Sequence, residues 1–230
     1  MNELPAPFPA LIAALPREVK ALVRGWQTRE LPGKVFVWTN GSAVVACAGM
    51  GARRVALAVE AARAAAPVTA LISVGLAGAC DPGLRVGDVV RAGVVVDSRT
   101  GERFADSQFR QVLVTSDRIA SVREKARLYA SYGAAAVDME AAAVARLAEA
   151  HGLSFAAIKG ISDDAAFELE RLSRFATPEG QFREIAFALH AALRPHLWSS
   201  LIALGRDSGR ALDAMTAVLQ KELDWYRKRG

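Results

Sequence analysis

Residues 137–164 read VDMEAAAVARLAEAHGLSFAAIKGISDD, a pattern that predicts one helix followed by one buried strand. The alanine-rich segment after Glu140 consists of strong helix formers and stops at Gly152, a residue typical of helix ends. Residues 154–161 form a mostly apolar run that fits a strand buried on both faces. In an open α/β sheet, ligands bind outside the carboxyl ends of the strands, so we expect Asp163 to stand at a crevice that Glu140 can share.

Size and composition favour one large domain with an appended C-terminal segment. The chain has 230 residues, of which 52% are hydrophobic, enough to bury a sizeable core. We predict an α/β domain over residues 1–194 and a helical extension over 195–230 that packs on the domain or on a partner. Since no segment has the length and apolarity of a membrane span and no cleavable leader opens the sequence, we expect a cytoplasmic protein.

Charge and cysteine content argue against nucleic-acid and metal binding. The net charge of +5 comes from 29 basic and 24 acidic residues, and much of the excess lies near the C-terminus, where it is typical of a solvated helix face. We therefore expect no nucleic-acid partner. Cys47 and Cys80 have no histidine or cysteine partner at metal-ligand spacing, so we interpret both as buried structural thiols. The sequence predicts neither a metal site nor a cofactor.

Strand-like and helix-like segments alternate from residue 9 to residue 163, which favours an α/β fold. We predict a mostly parallel or mixed central sheet flanked by helices. The apolar run at residues 9–15 is the first strand, and Pro16 opens a helix in which Glu18 suits the positive end of the helix dipole. Taken alone, such a glutamate is more often a solvated first-turn residue.

Glycines follow two of the predicted strands. Gly49 and Gly51 precede the predicted helix 52–65, where backbone amides can form a concave site for an anion or a hydroxyl-rich ligand. Gly75 follows the next strand and permits a ligand to approach the backbone closely. Because glycines also serve simply to make tight turns, these loops alone are weak evidence for a site.

The C-terminal segment carries an apolar stripe with helical spacing. The stripe comprises Leu212, Met215, Leu219, Leu223 and Tyr226. Such a stripe usually covers the protein's own core or a subunit partner. Attachment to a membrane surface is the alternative interpretation, suggested by Trp225 and the basic residues 227–229.

With these segments in place, the chain resembles the nucleoside phosphorylase and nucleosidase superfamily, most closely its methylthioadenosine/S-adenosylhomocysteine nucleosidase branch. The most specific likeness is VDMEAAAVA followed by a strand and ISD at residues 161–163. LIAALPREV at 11–19, AGMG at 48–51 and GLAGACDPGLRVGDVV at 75–90 support it. The similarity extends over about residues 9–193, and the helices after residue 197 lie outside it.

The resemblance implies specific roles for four residues around a purine nucleoside. Asp163, with Ser162 beside it, is the acid that donates a proton to N7 of the purine. Glu140 binds the ribose hydroxyls and Met139 packs under the sugar. Further substrate contacts are assigned by position to Ile119, Gly49, Gly75 and Leu76.

Hydrolysis of an N-ribosidic bond needs an acid and a base, because a purine leaves poorly as an anion and water is a weak nucleophile. The resemblance places Glu18 where the family keeps the glutamate that activates the attacking water, on the opposite face of the sugar from Asp163. Asp163 can hold its proton at neutral pH only if burial or a nearby carboxylate raises its affinity for that proton.

Two departures from the family pattern bear on the reaction and the substrate. Phosphorylases of this superfamily carry an arginine and a serine or threonine for phosphate where this chain has Ser73 and Leu76, so we predict hydrolysis. Residues 95–111 lack the aromatic base-binding loop of a methylthioadenosine enzyme, which leaves the 5′ group open. The predicted substrate is an adenosine-type nucleoside, either methylthioadenosine-like or adenosylhomocysteine-like or with a bulky 5′ group.

Two alternatives remain at this stage. The first is a phosphate-dependent phosphorylase that recruits Arg53 or Arg54 as phosphate ligands. The second is a non-catalytic nucleoside-binding or assembly protein. By analogy with the superfamily we also expect a homo-oligomer, with a dimer favoured.

Overall fold

The computed structural model describes residues 8–105, 109–167 and 198–229. Ten strands and five helices lie within these ranges. The strands are β1 (Pro9–Ala13), β2 (Gln27–Leu31), β3 (Val35–Thr39), β4 (Val44–Cys47), β5 (Ala70–Ala79), β6 (Val89–Asp97), β7 (Arg103–Ala105), β8 (Gln111–Thr115), β9 (Ala134–Asp138) and β10 (Ser154–Asp163). The helices are α1 (Pro16–Val19), α2 (Ala52–Ala65), α3 (Val122–Tyr132), α4 (Ala141–Ala150) and α5 (Trp198–Arg227).

The strands form one mixed sheet, which confirms the predicted fold class. Strand β1 lies between β4 and β5 and is parallel to both. Strand β10 is parallel to β5 on one side and antiparallel to β6 on the other. The β2–β3–β4 meander forms one antiparallel edge of the sheet.

Five strands at the other end of the sheet close on themselves. The circuit runs β5–β10–β6–β8–β9 and returns to β5, because Gly78 and Ala79 at the end of β5 pair antiparallel with β9. Small side chains such as Ala77, Ala92 and Ala136 fill the interior, which allows a tight closure. The closure brings the carboxyl ends of β5, β9 and β10 to one place.

Helices cover both faces of the sheet, as the alternation along β1 requires. Ala10 and Ile12 face a core cluster built with α2 and α4. Leu11 and Ala13 face the opposite cluster, which contains residues of α1 and α5. The result is three layers, with helices outside and the sheet between them.

The apolar stripe of α5 covers the protein's own core. Met215 and Leu219 are fully buried, and the other three stripe residues pack in the same cluster as Val74 and Ile158 of the sheet. The backbone of α5 also approaches β10 closely, since a Cβ on Gly160 would lie 2.7 Å from the carbonyl oxygen of Ala211. Trp225 is 43% exposed and stacks against the Arg229 guanidinium. No helix within the described ranges is long and apolar enough to cross a bilayer.

Three sequence expectations about individual elements were wrong in detail. Residues 134–138 form strand β9, whereas residues 137–138 were expected to lead into the helix after Glu140 and residues 134–136 were not assigned. Strand β5 continues through Gly75 and Gly78 instead of ending before them. Helix α3 spans Val122–Tyr132, whereas the sequence predicts a helix over 117–129, and Ser121 caps it by accepting from the amide of Glu124 at 3.2 Å. The predicted helix at 178–193 lies outside the described residues.

We predict that Leu219→Ala lowers the free energy of unfolding by about 2–5 kcal/mol, because it leaves a cavity under α5. Leu57→Ala is the matched control, since Leu57 on α2 is 48% exposed whereas Leu219 is 1% exposed. Chemical denaturation of both variants tests the difference. Equal effects of the two substitutions would show that α5 is not part of the folded core.

Candidate active site

A cavity of about 180 Å³ opens at the carboxyl ends of β5, β9 and β10. Seven of the nine residues assigned from the sequence line it: Glu18, Leu76, Ile119, Met139, Glu140, Ser162 and Asp163. The other two lie behind this wall. Gly49 donates its amide to the carbonyl of Ala14 at 2.9 Å, and Gly75 packs against the carboxyl group of Glu18.

Glu18 is buried and held by backbone amides. Its Oε2 accepts from the amides of Ala14 at 3.1 Å and Leu15 at 2.8 Å, and its Oε1 accepts from the amide of Leu76 at 3.2 Å. It is 8% exposed, so it is not the solvated first-turn glutamate that the sequence alone would favour. An ionised carboxylate offers about four acceptor positions, and three are used here, which leaves one for a water molecule in the cavity.

Asp163 lies at the end of β10 with both carboxyl oxygens engaged. Its Oδ1 accepts from the hydroxyl of Ser162 at 2.7 Å, and its Oδ2 accepts from the ammonium group of Lys125 at 2.5 Å. Asp163 is 3% exposed and Lys125 is 1% exposed. The charged neighbour of this carboxyl group is therefore an ammonium group. From the sequence we expected burial or a second carboxylate to make Asp163 hold its proton.

Two glycines of β5 make room for these two carboxyl groups. A Cβ on Gly75 would lie 2.9 Å from Oε1 of Glu18, and the residue has a φ of +137°. A Cβ on Gly78 would lie 2.8 Å from Oδ2 of Asp163 and 3.1 Å from Cε of Lys125. The nearest neighbours of both glycines are thus side chains of the protein. Each glycine allows one carboxyl group to pack against the strand.

Glu140 lies between β9 and α4, where its Oε1 accepts from the amide of Gly51 at 3.1 Å. Burial, reinforced by Asp138 and Glu18, raises the pKa of Glu140 from an ordinary value of 4.5 to about 7, although Lys159 and the Gly51 amide act in the other direction. This carboxyl group therefore changes charge near neutral pH.

A second buried ion pair lies beneath Glu140. The ammonium group of Lys159 is 2.9 Å from Oδ2 of Asp138, and both side chains are almost fully buried. Burial acts to lower the pKa of Lys159, but Asp138 and Glu140 outweigh it and raise that pKa. Asp138 also accepts from the hydroxyl of Thr115 at 2.7 Å and from the amide of Ala141 at 2.9 Å, which fixes the start of α4.

Lys125 was not among the residues predicted for the site. In the segment VREKARLY it looks like one of several solvated charges, and no motif marks it. The sequence offers one indication of its burial. Lys125 lies three residues before Leu128 and so on the same face of the helix, and these two are the buried residues of α3. A lysine on the apolar face of an amphipathic helix is a candidate for a buried ion pair.

A second cavity and the two cysteines are further features of the described residues, and neither cysteine lines the first cavity. A larger cavity of about 840 Å³ lies at the opposite, amino-terminal end of β10, against the last turns of α5. Both cysteines are buried, as predicted, and burial raises the pKa of the Cys80 thiol to about 12. Within the described ranges no group of three or more potential metal ligands is assembled.

The arginines proposed as phosphate ligands lie outside the cavity. Arg54 donates to the carbonyls of Ala48 and Gly33, and neither it nor Arg53 contributes to the lining. Ser73 is completely buried, and its hydroxyl has no hydrogen-bond partner among the described atoms. The cations that do line the cavity, besides Lys125, are Arg17 and Arg118.

Solved structures with the same fold are nucleosidases and a related hydrolase. A methylthioadenosine/S-adenosylhomocysteine nucleosidase from Neisseria meningitidis, in complex with methylthio-immucillin-A, has a TM-score of 0.65 at 19% identity, over 91% of this chain and 98% of that one. The Helicobacter pylori enzyme with butyl-thio-DADMe-Immucillin-A has a TM-score of 0.66 at 16% identity, over 95% and 100%. Futalosine hydrolase of Helicobacter pylori strain 26695 has a TM-score of 0.60 at 19% identity, over 69% and 88%.

At these identities the likeness to solved structures shows the fold, and no curated protein matches the sequence. The sequence itself matches the family model of the phosphorylase superfamily over residues 10–111 and 98–194. That match extends from β1 through β10 and includes every residue that lines the cavity. The chain belongs to the phosphorylase superfamily.

Proposed function

We propose that this protein is a purine nucleosidase that hydrolyses the N-ribosidic bond of an adenosine-type nucleoside. The observation that carries the proposal is the presence of three carboxyl groups, those of Glu18, Glu140 and Asp163, around one cavity in three different environments. One is held by amides, one changes charge near pH 7 and one is paired with an ammonium group. Different environments suit them to different chemical roles.

Asp163 is the acid in this proposal. As the glycosidic bond lengthens, the bonding electron pair moves to the purine, and a proton from the Asp163 carboxyl group neutralises N7. Ser162 supports the role by fixing one carboxyl oxygen, which leaves the carboxyl group in a defined orientation toward the cavity.

Glu18 is the base. Water attacks the anomeric carbon from the face opposite the purine and gives a proton to the free acceptor position of Glu18. The three amides that bind this carboxylate hold it in one position before substrate arrives. This division between an acid on one face and a base on the other is that of inverting glycosidases.

The remaining assigned residues would bind the nucleoside. Glu140 binds the ribose hydroxyls and places negative charge near the cationic sugar of the transition state. Met139 packs under the sugar, and Ile119 contacts the base. Leu76 contributes its side chain to the wall, and Gly49 and Gly75 shape the loops behind it.

Water is favoured over phosphate as the nucleophile because the nearby backbone amides already donate to the Glu18 carboxylate. The amide of Leu76 lies where the superfamily's phosphorylases carry a phosphate ligand, and it donates here to a carboxylate. A phosphate anion near Glu18 would be repelled and would find no hydroxyl at Leu76. Arg17 and Arg118 are the cations that a phosphorolytic reaction would have to use.

The substrate is proposed to be an adenosine with a modified 5′ group, either methylthioadenosine-like or adenosylhomocysteine-like or bulkier. Two of the structures named above, both of methylthioadenosine/S-adenosylhomocysteine nucleosidases, were solved with methylthio-immucillin-A and butyl-thio-DADMe-Immucillin-A, which supports this class. The homodimer and the cytoplasmic location remain predictions from the sequence, as does the division of the chain at residue 194.

We expect the purified protein to release free base from at least one nucleoside among methylthioadenosine, adenosylhomocysteine, adenosine and inosine in phosphate-free buffer. Base release is followed by liquid chromatography, with and without added phosphate. Release that strictly requires phosphate would restore the phosphorylase alternative. Tight nucleoside binding without any release over a long incubation would indicate a non-catalytic binding protein.

We predict that Asp163→Asn and Glu18→Gln each lower kcat/KM by on the order of a hundred- to ten-thousand-fold, because each removes a proton-transfer group while keeping its shape. Asp164→Asn is the matched control, since its exposed side chain accepts from the amide of Ala166 and from no other described residue, and its main-chain carbonyl is unchanged. Circular dichroism should show the same fold in all three variants. Near-normal turnover in Asp163→Asn would refute the role of the acid.

The raised pKa of Glu140 predicts how substrate affinity depends on pH. Because the carboxylate form binds the hydroxyls and is populated above about pH 7, KM should rise as the pH falls through 7. Glu140→Gln should have a higher KM that stays flat across this range. The same KM dependence in the Gln variant would show that another group titrates.

Stability gives a readout of Glu140 that does not depend on activity. A carboxyl group whose pKa is raised on folding stabilises the fold at low pH, and that contribution is lost as the pH rises from about 4.5 through 7. The wild type should therefore lose stability relative to Glu140→Gln over this range. A constant difference would contradict the raised pKa.

A further inference from the structure

Three oxygen atoms surround the side-chain nitrogen of Lys125. Its Nζ donates to Oδ2 of Asp163 at 2.5 Å, to the carbonyl of Asp164 at 2.9 Å and to the carbonyl of Phe167 at 3.1 Å. Three acceptors match the three N–H bonds of an ammonium group. A neutral amine has two N–H bonds for the two carbonyls and a lone pair that accepts only from a protonated Asp163, so the same contacts also fit the pair after its proton has moved to Asp163.

The bonds of Asp163 define the complementary state. Its Oδ1 lies 2.7 Å from the hydroxyl of Ser162, and its Oδ2 receives the ammonium proton. The same hydroxyl lies 3.3 Å from the carbonyl of Ala77, and the shorter contact assigns its proton to Asp163. Both oxygens of Asp163 then accept, as in an ionised carboxylate. An amine is ordinarily far more basic than a carboxyl group, so the charged pair is the resting form. In the resting site the proton that a leaving purine requires therefore lies on Lys125.

We propose that Lys125 is the proton donor to Asp163, so that the acid of the reaction is a lysine–aspartate pair in which Asp163 delivers to the base the proton that Lys125 supplies. The inference rests on the proposed function, because it concerns how that reaction obtains its proton. Lys125 acts through Asp163 and is in this sense a positioning residue that also holds the proton.

Every proton that is transferred during one turnover is replaced by the end of that turnover. A proton moves from Nζ of Lys125 to the carboxylate of Asp163, and Asp163 passes that proton to N7 while the electron pair of the broken C–N bond stays with the purine. Water forms the new C–O bond and loses a proton to Glu18. Glu18 then releases that proton to solvent and Lys125 takes one up, so both groups return to their starting state.

Burial lowers the free-energy cost of moving the proton from Lys125 to Asp163. Lys125 and Asp163 are both nearly inaccessible to water, and a charged pair in such a site has lost its hydration. Moving the proton from Nζ to Oδ2 converts two buried charges into two neutral groups, which recovers part of the desolvation penalty. A bound nucleoside excludes water further and favours the same step.

Several other titratable groups lie near the pair. They are Cys80 just after β5, Asp138 and Glu140 just before α4, Glu18 on α1, Arg118 before α3, Glu124 in the first turn of α3, and Asp164 after β10. The pKa of Cys80 is raised to about 12 by burial, so the thiol stays neutral. Glu140, with a pKa of about 7, affects the acidic limb. The alkaline limb thus reports on the Lys125–Asp163 pair.

The direction in which the alkaline limb moves distinguishes this proposal from a merely structural ion pair. In Lys125→Met, the buried Asp163 must hold its own proton, and we expect the alkaline fall in kcat/KM to move to lower pH by one unit or more. If Lys125 only opposed protonation of Asp163, its removal would move that fall to higher pH. A shift to higher pH, or no shift, overturns the proposal.

Lys125→Arg separates charge from proton supply. A guanidinium group keeps the positive charge but does not give up a proton under these conditions. We expect kcat to fall on the order of a hundred-fold at all pH values with little change in KM, whereas rescue by arginine would overturn the proposal. Arg127→Met on the same helix is the control, because it removes an exposed cation paired with Glu124 and should leave both limbs unchanged.

An infrared measurement decides the resting charge without a lysine variant. The difference spectrum between wild type and Asp163→Asn at neutral pH should show the loss of a carboxylate band. Loss of a carboxylic-acid carbonyl band would overturn the proposal, even if the lysine variants do not fold. Absence of base release by the wild type would instead refute the proposed function, and the infrared result would still report the charge of Asp163.

Discussion

The structure depends on the compensation of charge buried where the sheet closes. Asp138 and Asp163 end two strands of the closed circuit, and each would be costly to bury alone. Lys159 and Lys125 supply one ammonium group to each of them. Removing one partner of such a pair typically costs about 3–5 kcal/mol, because it leaves the other charge unpaired. The two ion pairs therefore stabilise the closure of the strands and also hold the carboxyl groups of the site in place.

The same compensation gives the carboxyl groups different properties. Among the described residues, Glu18 accepts from three amides and from no cation, Asp163 accepts from an ammonium group, and Glu140 accepts from one amide and lies near two carboxyl groups. A base, a proton-delivering acid and a sugar-binding group need such different surroundings. The spacing of glycines along β5 contributes directly, because each glycine leaves room for one of the first two carboxyl groups.

Much of the fold could be predicted from the sequence, and so could most of the candidate residues that line the cavity. Helix α2 has the predicted bounds because Gly51 precedes it and its alanine-rich segment favours a helix. Strand β8 matches the strand that the apolar run at 111–115 predicts. Strand β9 was missed because alanine favours helices locally, while its pairing with β5 and β8 is a long-range property. Lys125 was missed for a related reason, since its partner lies 38 residues away in the chain and no local pattern encodes that contact.

The central claim is that a water molecule activated by Glu18 attacks the anomeric carbon opposite a purine protonated by Asp163. Proton nuclear magnetic resonance of the anomeric signal, recorded during turnover of a cleaved nucleoside in phosphate-containing buffer, tests this most directly. Attack from the opposite face predicts that the free sugar appears first as the α-anomer and then equilibrates with the β-anomer. A sugar 1-phosphate, or a free sugar that appears first as the β-anomer, would contradict the account.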